Sequence, residues 1–188
     1  MANIILASVL LVASIVNFGP MQQPLASDNP DVTAAAKYCS STGGVVQLRT
    51  PVYGTNASNT KTWLYLSGSQ PFCAYTAKDK SSIYVLLTTL YTTKPTLAAL
   101  AYFSKVKPNC SGGGNPASCY CSQLGGTDLF GGITAAGGGW VLAHSTTDIL
   151  DTCIMPDLSS IDSFGLFYHS AGIIRGRDLS KVLRYHKP

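Results

Sequence analysis

Tyr38-Cys39-Ser40-Ser41-Thr42-Gly43-Gly44 returns in the second half of the chain as Tyr120-Cys121-Ser122-Gln123-Leu124-Gly125-Gly126. Working outward, Asn29-Pro30 and Asn115-Pro116 precede the two stretches, and Trp63 and Trp140, loose counterparts, each stand ahead of a cysteine, Cys73 or Cys153. Asp79-Lys80-Ser81-Ser82-Ile83 then matches Asp157-Leu158-Ser159-Ser160-Ile161, and apolar runs close on Leu90-Tyr91 and Phe167-Tyr168. A tandem duplication implies two equivalent supersecondary units. The expected fold class is α+β: two repeated units, each a short helix packed on a small antiparallel sheet and stapled by a disulfide.

Asparagine caps free amides at a helix start, and proline in the first helical position gives up an amide that has no partner there. Gly43 and Gly125 suit the left-handed residue that ends a helix. Helices are therefore expected at about 30–42 and 116–124. After each double glycine, β-branched and aromatic residues broken by turn formers read as strands. These fall at 45–49, 62–66, 72–75 and 83–87, with weaker equivalents at 127–130, 139–143, 152–155 and 163–168. The two Asp-x-Ser-Ser segments read as turns. Short helical tails are expected at 95–103 and 178–185.

Residues 1–27 carry no charged side chain, and 4–16 form an almost unbroken apolar run. That run has signal-peptide length and falls short of the roughly 20 residues a membrane-spanning helix needs. The reading is a secretory signal segment over 1–27, cut near Ser27 so that the mature chain begins at Asp28; an uncleaved anchor at 4–16 is the alternative. Unit 1 then covers 28–107 and unit 2, with a basic tail, 115–188, joined by a Gly-rich linker at 108–114.

Six cysteines behind such a leader point to disulfides, and six cysteines permit fifteen connectivities. Equivalent positions favour Cys39 with Cys73 and Cys121 with Cys153, leaving Cys110 with Cys119. A zinc reading on Cys110, Cys119 and Cys121 lacks a paired C-x-x-C and a repeated histidine. A bridge closing a loop of this span contributes about 3–4 kcal/mol in the chain-entropy model, the order of the whole stability of so small a unit.

A composition of 46% hydrophobic and 12% charged residues excludes a disordered chain. The formal net charge of +4 is modest, and five of the 13 basic residues lie in the tail, Arg175, Arg177, Lys181, Arg184 and Lys187. Such a tail is expected to be a solvated end, with contact to anionic lipid, polysaccharide or nucleic acid as the alternative, and specific nucleic-acid binding is not expected.

Asn115-Pro116-Ala117-Ser118-Cys119-Tyr120-Cys121, the double glycine after it and Cys153-Ile154-Met155-Pro156-Asp157 together resemble a small bacterial envelope domain. Its members carry only the label of haemolysin or of a domain of unknown function. The family pattern runs Asn-Pro-Ala, a Tyr-Cys pair, a Gly-Gly and a Cys-x-x-Pro-Asp-Gly turn, matched well by the second half of this chain and faintly by the first. Here Leu158 replaces the turn glycine, Cys119 is extra, and the family's late acidic Trp segment is missing. The resemblance implies an envelope location and a fold, and brings no catalytic residue.

Candidate chemistry is sparse. A Ser/His/Asp hydrolase would draw on His144 or His169 with Asp148 or Asp151, yet there is no Gly-x-Ser-x-Gly elbow, and His144, His169 and His186 have no counterpart in the first unit. Asp79 and Asp157 recur, as turn residues do. Gly137-Gly138-Gly139 lacks the Lys-Ser/Thr of a phosphate loop and reads as a flexible hairpin loop. The tyrosines, Trp63 and Trp140 read as core before they read as a sugar-stacking surface. Sequons stand at Asn56-Ala57-Ser58 and Asn109-Cys110-Ser111, candidate glycosylation sites in loops. No cofactor is expected. The leading expectation is a non-enzymatic structural or cell-surface role. Its alternatives are an extracellular module recognising polysaccharide or inhibiting a hydrolase, and a hydrolase using His144 or His169.

Overall fold

A computed structural model describes residues 30–110, 114–128, 136–143 and 145–186. The signal segment, residues 111–113 of the expected linker, residues 129–130 of the strand expected at 127–130, and His144 lie outside these residues. Helices α1 (Pro30–Ser41) and α4 (Pro116–Gln123) occupy the expected stretches. The Asn115 side chain accepts the amides of Ala117 and Ser118 at 2.9 and 3.5 Å, and Gly43 and Gly125 follow the helices at φ 85° and 83°.

Strands β1 (Val45–Tyr53), β2 (Leu64–Tyr65), β3 (Gln70–Thr76), β4 (Ser82–Leu86), β5 (Gly138–Leu142), β6 (Ile149–Leu150), β7 (Thr152–Ile154) and β8 (Ser160–Asp162) form one antiparallel sheet. Its order is β6-β5-β1-β3-β4-β8-β7, with β2 beside β1. Strand β1 runs on through Pro51. Its register with β3 ends at Arg49 and its register with β2 begins at Val52, so the residue without an amide sits where the partner changes. The end strands of the order, β6 and β7, are separated in the chain by Asp151 alone. Two peptide steps span no more than about 7 Å, so the sheet curls until its ends meet at that residue.

The sheet belongs to both halves, since β1 pairs with β5 and β4 with β8 at Val85 and Ile161. Strand alternation sends Cys73, Tyr75, Ile83, Val85 and Ile161 outward into the main core beneath the helices. Phe72, Leu86, Trp140 and Leu150 turn to the other face and make a smaller apolar cluster. The bridges are Cys39–Cys73, Cys110–Cys119 and Cys121–Cys153. No helix of the described residues is long and apolar enough to cross a membrane.

Several elements depart from expectation. Residues 163–168 are not a strand but open α5 (Ser163–Ser170), which starts where β8 ends because the Asp162 carboxylate accepts the Gly165 amide at 3.0 Å and caps it. Strand β4 likewise passes directly into α2 (Leu87–Tyr91). The first helical tail is α3 (Leu97–Ser104), whereas 178–185 holds only a 3-10 turn at Leu179–Lys181. Nor is the basic tail a solvated end: Leu179, Val182 and Leu183 are buried, the Tyr38 hydroxyl donates to the Val182 carbonyl at 2.8 Å, and Arg184 lies 4.1 Å from the centre of the Tyr91 ring. The tryptophans do not correspond, since Trp140 is inside β5 while Trp63 ends a 3-10 turn before β2.

Other contacts recur in both halves. The Gly44 amide donates to the Cys39 carbonyl at 2.9 Å, and Gly126 to Cys121 at 3.0 Å. Val45 pairs with Ala74, and Thr127 with Ile154, each one residue past a glycine against one past a bridged cysteine. A Cβ on Gly44 would run into Cys73 Sγ, and one on Gly126 would lie 2.6 Å from Cys153 Sγ. Asp79 Oδ1 accepts the Ser81 amide and hydroxyl, as Asp157 Oδ1 accepts those of Ser159. Between them Lys80 and Leu158 take φ 68° and 63°, a left-handed conformation that glycine adopts most readily.

Candidate functional site

The meeting of the sheet's ends at Asp151 leaves a cleft of about 450 Å³. Ser82 and Tyr84 of β4, Lys80 of the preceding turn, Asp151, Asp162, Phe164 and Tyr168 of α5, and Arg175 line it. Arg175 is delivered by the chain after α5. Gly176 follows at φ 62°, and a Cβ there would run into the Tyr75 carbonyl, so the glycine lets this segment press on the β3–β4 ladder. The Arg175 side chain then lies 5.1 Å from the centre of the Tyr168 ring, and its Nε faces the Ser82 carbonyl at 3.5 Å. Phe164 and Tyr168 stack with centroids 6.4 Å apart. Among the described residues the terminal nitrogens of Arg175 and the Lys80 ammonium carry no hydrogen bond.

Two carboxyls share the lining with these cations. Asp162 is 5% exposed, and burial lifts its pKa to about 6 against the pull of the Gly165 amide and Arg175. Burial also lifts Asp151 to about 6, with the negative charge of Asp128 adding to the effect. Asp128 is itself buried with neither carboxyl oxygen hydrogen-bonded. Two carboxyls raised by burial, beside cations and ring faces in one cleft, make this the candidate site for binding or acid–base chemistry.

Of the catalytic candidates singled out in sequence, Asp151 lines the cleft, Asp148 and His169 lie elsewhere, and His144 is outside the described residues. Asp148 is committed to Arg49, which is wholly buried; its carboxylate takes Nη1 at 3.1 Å and Nη2 at 2.9 Å. His169 is buried and stacked on Tyr102 at 3.7 Å, its Nδ1 has no hydrogen-bond partner, and burial and then Lys105 hold its pKa below the ordinary value. His186 is exposed near the end of the described chain. Gly138 and Gly139 belong to β5, paired with Tyr53 and Val52, rather than to a flexible loop. Trp63 and Trp140 are 7% and 8% exposed. Asn56 and Asn109 are exposed, and Ser111 of the second sequon lies outside the described residues. Every cysteine is bridged, including the three of the zinc reading, and among the described residues no group of His, Cys, Asp or Glu is arranged to hold a metal.

Asp162, Lys80, Tyr84 and Tyr168 were not singled out as site residues, and Arg175 was read only as part of the basic tail. They are scattered over the chain, and only the curl of the sheet and the docking of the tail bring them together. One signal was available: Asp162 stands directly before a serine and an apolar run, the place of a helix cap. Comparison with protein-family models, with curated proteins and with solved structures returns no match.

Proposed function

We propose that the chain is a secreted, disulfide-stapled binding module built from a duplicated unit, and that the cleft at Asp151 holds a polar organic ligand. The wall of the cleft carries this reading: the rings of Tyr84, Phe164 and Tyr168 stand beside two carboxyls and two uncommitted cations around an open volume typical of small-ligand sites. Rings shelter the apolar faces of a ligand while the charged groups bond its polar edge. The contacts shared by Gly44 and Gly126, and by the Asp79 and Asp157 turns, support duplication. Three bridges taking up all six cysteines support an oxidising destination. A purely structural role leaves the composition of the cleft without a use. The test is thermal unfolding of the mature chain against a panel of saccharides and small polar metabolites. Compounds that raise the Tm of the wild type but not of Tyr168→Ala support the reading. Equal shifts in both proteins, or no shift from any compound, count against it.

A further inference from the structure

We propose that the cleft binds a carboxylated saccharide, its sugar ring against Tyr168 and Phe164, its carboxylate on Arg175 and Lys80, and its hydroxyls bonded to Asp151 and Asp162. This rests on the binding-module reading and assigns the ligand class. The guanidinium of Arg175 already leans on Tyr168, with its terminal nitrogens uncommitted. A guanidinium fork matches a carboxylate through two parallel hydrogen bonds, and a ring face beside it covers the C–H face of a pyranose. Inorganic phosphate satisfies the cations and leaves the rings unused. A neutral sugar uses the rings and leaves two cations unpaired.

The charge on the wall also selects for conditions. Asp151, Asp162, Lys80 and Arg175 share the lining with Ser82 and Tyr84 of β4, and Arg175 acts on Asp162. The charge of Asp128 acts on Asp151, that of Arg175 on Asp79, and Arg49 lies 4.7 Å from the centre of the Tyr84 ring. Below about pH 6 the two lining carboxyls are neutral, so the lining carries the charge of its two cations and its acids can donate hydrogen bonds to the sugar. At higher pH both ionise and offset that charge. A uronate stays ionised throughout, since free carboxyls of this kind titrate near about 3.5. Binding is therefore tightest under mildly acidic conditions.

The experiment is isothermal titration of the mature protein with trigalacturonate at about pH 5 and about pH 8, with cellotriose and inorganic phosphate as controls. Binding of the uronate should weaken roughly tenfold or more from the acidic to the alkaline condition, and by a similar factor in Arg175→Gln at about pH 5. The double variant Asp151→Asn, Asp162→Asn should keep the acidic affinity at about pH 8; asparagine also caps helices, so α5 is preserved, and circular dichroism checks this. Absence of uronate binding at the acidic pH, equal affinity for cellotriose or phosphate, or indifference to Arg175→Gln overturns the proposal. Cellotriose binding that Tyr168→Ala abolishes would leave the cleft as a binding site and sink only the carboxylate assignment.

Discussion

Removing the charge of Asp148 should expose how the middle of the sheet is held. Arg49 has no accessible side-chain surface. Its Nε and Nη2 donate to Gln47 Oε1 at 3.0 and 2.7 Å, its Nη1 donates to the Trp140 carbonyl at 3.1 Å, and its face lies 4.7 Å from the Tyr84 ring centre. Those groups satisfy donors, but Asp148 alone supplies the opposite charge in an ion pair among the described residues. Breaking a buried pair from one side costs about 3–5 kcal/mol, because the remaining ion is left uncompensated. Asp148 is 43% exposed, so water screens part of the loss and the lower end, about 3 kcal/mol, is the expectation for Asp148→Asn. In a chain of this length that lowers Tm by about 6–12 °C. Urea unfolding followed by tryptophan fluorescence, without reductant, measures it. Adding Arg49→Met should recover most of the loss, since the charge that needed a partner is gone. A cost below about 1 kcal/mol for Asp148→Asn, or simple addition of the two losses, would refute the argument.

Gly176→Ala should cost about 2–4 kcal/mol through left-handed backbone and contact with the Tyr75 carbonyl, and should disturb tyrosine signals around the cleft in NMR spectra. Stability should be greatest near about pH 4 and should fall as pH rises from there through about 6. The neutral Asp162 contributes up to about 3 kcal/mol that is complete below the ordinary carboxylate pKa and lost as pH rises through about 6. In the opposite sense, the bonds from Ser81 that hold Asp79 below its ordinary value contribute above that value and are lost as pH falls. Urea midpoints across the range should trace this maximum, and Asp162→Asn should flatten its alkaline side. Replacing Cys39 and Cys73 together by alanine should cost about 4 kcal/mol for a 34-residue separation, against about 2.5 for Cys110 and Cys119 at 9, read from guanidinium unfolding. Trp140→Ala should cost about 3–5 kcal/mol by the same assay.

Local chemistry was legible where a residue type answers a backbone need. Asn-Pro and Gly-Gly marked α1 and α4, and Asp-x-Ser marked both turns, because caps and turns are satisfied within a few residues. The stretch 163–168 was not, since Phe164, Phe167 and Tyr168 favour a strand by propensity while a single capping bond from Asp162 starts a helix. The sharing of one sheet was not legible either: nothing in β4 says that its next neighbour is β8. The cleft depends on that sharing, so Asp151 could be noticed only as a loose carboxylate and Arg175 only as part of a basic tail.

The closure of the sheet through Asp151 also orders events during synthesis. Translation proceeds at roughly 5–20 residues per second, so β1, β3 and β4 emerge seconds before the strands that flank them, and Cys39 can join Cys73 while Cys121 is still being made. Through that interval β1 and β4 present open ladders. The segment from Gly176 to Arg184 follows the strands and fastens onto Tyr75, Tyr38 and Leu90. A chain stopped short of Gly176 therefore keeps the cysteines of all three bridges yet lacks the segment that covers Tyr75, Tyr38 and Leu90.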